Sequence, residues 1–211
     1  MIPKTIQQKL DEGRSYRDVV EIRAADTEDG KMIVEGYATT FNEPYTLWEE
    51  KDFVIREQVA PTAFSATDMS DVIMQYDHEG RVFARISNGT LELTADNHGL
   101  HVRADLGGTA IGRQLYEEIK GGYTSKMSFG FTVEAEDRLT TMENGKEAVL
   151  RTITGIRKLY DVSAVSLPAN NATEISARAF CEGVIAEVAE ERRAAAERER
   201  QKRKIKILLE V

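Results

Sequence analysis

From Val19 onward the chain is a succession of short runs in which apolar and polar residues alternate, the period-two signature of half-buried strands. Residues 20–24 (VEIRA) alternate in this way. Residues 31–41 (KMIVEGYATTF) form a second run after the turn signal Asp29-Gly30, and Asn42-Glu43-Pro44 breaks it as a loop. Residues 53–59 are a further strand candidate, with Pro61 placed for the first turn of a short helix behind it. Residues 72–76 (VIMQY) are a short apolar run that stops at Asp77-His78-Glu79-Gly80. Residues 91–95 and 100–104 alternate on either side of Asp96-Asn97-His98-Gly99, a hairpin in which Gly99 is expected to supply a positive φ. Residues 127–131, 150–156 and 160–167 read as three more strands, the last closed by Pro168.

Two segments change period. In residues 109–120, Ile111, Leu115 and Ile119 recur every four positions and make one helical stripe, with Thr109 as its cap and Gly121-Gly122 as its stop. Residues 174–204 are rich in Ala, Glu and Arg. Their early part carries the apolar positions Ile175, Ala179, Val184 and Val188, and the later EERRAAAERERQKRKIK carries almost none. This predicts a helix that leaves the domain and becomes solvated. No apolar heptad persists, so a coiled coil is not expected, though the basic end is a candidate docking segment. The predicted fold class is mainly β with helices (α+β): a closed antiparallel β-barrel of about seven strands, a packed helix and a C-terminal helical tail. The predicted organisation is a loose or helical leader over residues 1–18, the barrel domain over 19–172 and a charged helical extension over 173–211.

Composition narrows the function classes. The chain has 211 residues, 41% of them hydrophobic, and a formal net charge of -8. That charge argues against general phosphate-backbone binding, which needs a basic face. The single cysteine, Cys181, excludes an intrachain disulfide and reads as a small buried apolar residue in a reducing compartment. No run of about 18 apolar residues occurs, and residues 1–20 lack the apolar stretch of a signal peptide. A soluble, intracellular protein with no membrane partner is therefore expected.

The candidate chemistry lies in Met127-Ser128-Phe129-Gly130-Phe131. Strand alternation puts Met127, Phe129, Phe131 and Val133 on the core face, and Ser128, Gly130 and Thr132 on the other. Gly130 clears space beside the hydroxyl, as the close approach of another backbone would require. Alternation alone fits an ordinary outer-face serine as well as a nucleophile. A serine hydroxyl needs a base within hydrogen-bond reach and a group that orients that base. Of the three histidines, His98 sits in a hairpin turn and His101 on the polar side of a strand. His78 ends a buried strand, held yet reachable. Asp161 is an acid inside an apolar run, where an unpaired carboxylate is costly, so it should have a partner. Glu134 and Glu147 are alternatives in more polar surroundings. A metal centre is disfavoured, because Asp77, His78 and Glu79 are consecutive and cannot converge on one ion. No cofactor is expected.

These pieces carry a family resemblance. EGYATTF (35–41), PTAF (61–64), YDH (76–78), HGL (98–100), MSFGF (127–131) and YDVSAVSLPAN (160–170) follow one another in the order found in the HK97-type prohead (capsid maturation) serine proteases of tailed phages, which this chain resembles over most of residues 20–172. Thr62 departs from the pattern, which usually has glycine there. That family is similar in fold and mechanism to the herpesvirus assembly proteases. The resemblance implies Ser128 as nucleophile, His78 as general base and Asp161 as third member. The viral relatives use a histidine in that third role, but here no histidine follows His101. Neither motif nor spacing identifies an oxyanion hole, and backbone N–H groups after the Asp161 strand, near residues 167–171, are the candidates. The implied substrates are the major capsid protein's scaffold segment and the protease itself, with the portal as a further contact, inside the prohead in the host cytoplasm. The competing expectation is a catalytically inactive β-barrel that acts as a scaffold or assembly chaperone.

Overall fold

The computed structural model describes residues 4–25, 30–166 and 171–209. The chain begins with helix α1 (Lys4–Asp11) and the strands β1 (Ser15–Ala24), β2 (Ile33–Thr40), β3 (Tyr45–Glu49) and β4 (Phe53–Val59). A hairpin of β5 (Ile73–Tyr76) and β6 (Glu79–Arg85) follows, then β7 (Leu91–Ala95), β8 (Gly99–Asp105) and helix α2 (Ala110–Lys120). Two long strands, β9 (Lys126–Glu143) and β10 (Lys146–Val165), precede helix α3 (Asn171–Leu209). The chain forms two units, Met1–Ala177 and Arg178–Val211. The second is the outer part of α3, whose residues 190–203 are all exposed.

Mainly β with helices is the architecture observed, but the closed antiparallel barrel of about seven strands is not. The sheet has ten strands in the order β3-β4-β10-β9-β1-β2-β8-β7, with β5 and β6 branching from β10. It is mixed: β10 pairs in parallel with β4 along its first half and with β5 along its second. Among the described residues β3 and β7 do not pair, so the sheet stays open. Its arms touch at a single bridge, Phe41 with Val59, beside a bond from the Asn42 N–H to the Val59 carbonyl (2.9 Å). Asn42, at φ 56°, turns the chain away there. Pro44, with no N–H, cannot extend a ladder.

Local chemistry explains the elements. Thr109 caps α2 by accepting the Gly112 N–H at 3.0 Å, and Gly122 ends it at φ 75°. Leu115 and Ile119 bury the predicted stripe. The β7–β8 turn is held by Asp96, whose carboxylate accepts the N–H groups of His98 and Gly99. Gly99 does not have the positive φ expected of it. Its lack of a side chain serves the neighbouring strand, since a Cβ there would lie 2.0 Å from the Thr39 carbonyl oxygen. Residues 61–66 form successive turns in place of a short helix. The two strands expected over 150–167 are one, because register shifts rather than a break absorb Thr154, Arg157 and Tyr160. The strands β3 and β6 were not expected, since their mixed burial gives no clean alternation.

A buried ionic cluster ties five strands together. Glu57 on β4 accepts from Arg17 of β1 (2.5 and 3.1 Å), Arg151 of β10 (2.5 Å) and the Tyr45 hydroxyl of β3 (2.5 Å). Arg151 also reaches Glu136 of β9 at 2.8 Å. Burial pushes the Glu57 carboxyl up, but the two guanidinium groups and their hydrogen bonds more than offset it, leaving its pKa below the usual 4.5. A depressed folded-state pKa stabilises the fold fully above the unfolded value and loses that contribution as pH falls through the folded one. Glu57→Gln should therefore cost about 3–5 kcal/mol in urea denaturation, because it removes the buried carboxylate charge facing Arg17 and leaves Arg151 with Glu136 as its charge partner. It should also flatten the decline in wild-type stability with pH below the ordinary carboxylate range.

Candidate active site

Ser128, His78 and Asp161 come together although they lie on three different strands or turns. Ser128 is on β9, and Asp161 is on the neighbouring β10. The register between these strands decides what they share. Leu159 pairs with Phe131, but Asp161, not Tyr160, pairs with Gly130, and Ser163 pairs with Ser128. Tyr160 is thus an extra residue, a β-bulge that reverses the phase of β10. Without it Asp161 would face away from the serine. With it, Asp161, Ser163, Gly130 and Ser128 share one face. The bulged Tyr160 ring lies under the Arg14 guanidinium, 3.8 Å from its centroid, a cation–π contact that holds it outward.

His78 arrives by a different route. The β5–β6 hairpin turns in two residues, Asp77 and His78, at φ 50° and 60°. This is the pairing that a two-residue type I′ turn demands, a left-handed conformation uncommon outside Gly that Asn, Asp and His enter more readily than other side chains. The turn is clamped to the end of β10. The Asp77 N–H donates to the Ala164 carbonyl (2.9 Å), and its carboxylate accepts from the Ser166 N–H (2.9 Å) and hydroxyl (2.8 Å). Backbone strain at this position marks a side chain whose aim matters more than its local comfort.

The geometry is a continuous relay. His78 Nδ1 lies 2.5 Å from Asp161 Oδ1, and Nε2 lies 2.7 Å from Ser128 Oγ. An ionised carboxylate only accepts, so Nδ1 carries the proton and Nε2 is free to accept from the serine hydroxyl. Ser163 donates its own hydroxyl to Asp161 Oδ1 at 2.9 Å. Burial raises the Asp161 carboxyl, but the electrostatic attraction of the His78 ring and hydrogen bonds from His78 and Ser163 outweigh it and hold the acid below its usual range. Such an arrangement can draw a proton from Ser128 while Asp161 orients the imidazole and stabilises its charged form.

The relay is sealed. Ser128 and His78 are 0% exposed and Asp161 2%. The Tyr16 ring packs edge-on to His78, centroids 4.4 Å apart, and Lys9 of α1 donates to the His78 carbonyl at 2.6 Å. Burial and the nearby Asp161 carboxylate push the Tyr16 phenol well up. Gly130 supplies clearance, though not for a backbone: a Cβ there would lie 2.5 Å from Asp161 Oδ2 and 2.8 Å from the Tyr16 ring.

Glu147 lies at the far end of β10, and Glu134 is a surface partner of Arg157. Neither approaches His78. His98 and His101 pack on Tyr37 instead. Of the expected oxyanion stretch, residues 167–170 lie outside the described residues. Sequence reasoning missed Ser163, although it stands two residues beyond Asp161 and so on the same strand face. It also missed Tyr16 and Lys9, for which the sequence holds no signal.

A family model described as caudovirus prohead serine protease matches residues 18–184 of the chain. The chain belongs to this family of phage prohead serine proteases. That membership supports a protease role in phage maturation, among capsid components within the assembling phage capsid. The matched span takes in Ser128, His78 and Asp161, and it runs from β1 into α3. Comparison with curated proteins and with solved structures gave no match.

Gly130→Ala should displace the Asp161 carboxylate. Serine-directed labelling of Ser128 by a fluorophosphonate is expected to slow by about 10²-fold, the scale that a displacement of about 1 Å produces in a reacting arrangement. Circular dichroism should show the sheet retained.

Proposed function

We propose that this prohead protease is a serine endopeptidase in which Ser128 is the nucleophile, His78 the general base and Asp161 the group that orients it. The single observation that supports this reading is the unbroken chain of short hydrogen bonds from Asp161 through His78 to Ser128. Ser128 Oγ attacks a peptide carbonyl as His78 Nε2 takes its proton. The imidazolium, stabilised by Asp161, then protonates the leaving amine, and water repeats the cycle on the acyl-enzyme. Because the hydroxyl is buried, acylation requires the segment over it to be displaced first.

Its substrates on this reading are the scaffold segment of the major capsid protein and the protease chain itself. The portal is a further neighbour inside the prohead, which assembles in the host cytoplasm. The basis is the family membership together with the charged outer part of α3, a solvated helix suited to transient docking. The alternative is an inactive β domain that acts as a scaffold or assembly chaperone. It would keep the fold and make no use of Ser128.

Co-expression with the capsid protein separates these readings. Ser128→Ala should abolish cleavage of both the capsid protein and the protease chain, as read by mass spectrometry. Processing at unchanged sites in that variant would leave only the scaffold reading. Asp161→Asn should lower the cleavage rate by on the order of 10⁴-fold with the fold intact, because the amide cannot hold the productive tautomer.

A further inference from the structure

We propose that Ser163 is a positioning residue of the relay, whose hydroxyl locks the Asp161 carboxylate in the orientation that aims the His78 ring at Ser128. This rests on the endopeptidase reading above and deepens it. The Ser163 hydroxyl donates to Asp161 Oδ1 at 2.9 Å, the same oxygen that lies 2.5 Å from His78 Nδ1. Ser163 is 0% exposed and Asp161 2%, so bulk water does not compete for either group.

The acid needs a second donor for a geometric reason. An aspartate carboxylate turns about a broad, roughly two-fold torsion, and one bond to a ring that itself swivels does not fix it. His78 reaches Asp161 from the β5–β6 hairpin, a separate element. Ser163 stands two residues along β10 from Asp161, so strand alternation puts both on one face and their shared backbone keeps donor and acceptor together.

The place of Ser163 is itself fixed from two sides. It pairs with Ser128 of β9 in the antiparallel ladder and with Gln75 of β5 in the parallel one. The donor is thus anchored to the strand that carries the nucleophile and to the strand that leads into the histidine turn. Ser163 is not a second nucleophile. His78 Nε2, the nitrogen free to accept a proton, lies 2.7 Å from Ser128 Oγ, whereas the Ser163 hydroxyl is engaged by the carboxylate.

The test uses the full chain and a fluorophosphonate probe, with labelling of Ser128 followed by mass spectrometry. Ser163→Ala should lower the maximal labelling rate by about 10–100-fold, the scale of one hydrogen bond to a charged group, and leave the probe concentration for half-maximal rate unchanged. Ser163→Cys keeps the volume but donates only weakly, so it should fall with the alanine variant. If the alanine variant loses its sheet by circular dichroism, Ser163→Cys carries the same test. In an Asp161→Asn background, Ser163→Ala should cost no more than about twofold further, because the group through which the hydroxyl acts is already gone. A wild-type rate in Ser163→Cys overturns the proposal by showing that only volume matters. A full additional loss in the Asp161→Asn background overturns it by showing that the hydroxyl acts elsewhere. Labelled wild-type protein with unchanged rates in both Ser163 variants defeats only this inference, whereas a wild-type chain that neither labels at Ser128 nor cleaves defeats the endopeptidase reading beneath it.

Discussion

The antiparallel pairing of β9 with β10 governs the site, because the extra residue at Tyr160 sets which face each side chain occupies. Strand periodicity is two, so a shift of one residue moves every side chain to the opposite face. Beyond the bulge, Asp161 and Ser163 share a face with Gly130 and Ser128. Parallel pairing of β5 with the same stretch of β10, Asp161 opposite Ile73 and Ala164 opposite Tyr76, delivers the Asp77-His78 turn beside that face. One strand, β10, thus carries the acid, positions the serine strand on one side and positions the histidine hairpin on the other.

This economy has physical costs that the surroundings offset. A left-handed histidine is strained, and the bonds from Asp77 to Ala164 and Ser166 hold it in place. A buried carboxylate is unfavourable, and two donors, His78 Nδ1 and the Ser163 hydroxyl, compensate it. Deeper along the same strands, Glu57 balances Arg17 and Arg151. Fully satisfied polar networks of this kind rigidify a core, while half-satisfied ones destabilise it. Preorganisation at the relay and cohesion of the sheet therefore draw on the same strands, β1, β9 and β10.

Much of this was legible in the chain. Alternation marked β2, β4, β5, β7 and β8 within a residue or two and only the cores of β1, β9 and β10, the four-residue spacing marked α2 with both its ends, and the Ala-Glu-Arg composition marked the solvated helix. Ser128, His78 and Asp161 could be singled out by scarcity and by chemical anomaly: a serine beside a glycine in an aromatic strand, a histidine at a strand's end, an acid in an apolar run. What resisted was anything set by pairing. The parallel contacts of β10, the open sheet, the edge strands β3 and β6, and the true neighbour of Gly130 depend on partners far away in the chain.

Local sequence determined where the backbone would be extended or helical, and which side chains were chemically out of place. Those properties arise from propensity and periodicity over a few residues. Only the tertiary structure decided that the anomalies meet. A bulge can sit at several positions in an alternating strand at similar local cost. The choice of Tyr160 comes from its contact with Arg14, the space at Gly130 and the docking of the β5–β6 hairpin, all long-range packing terms.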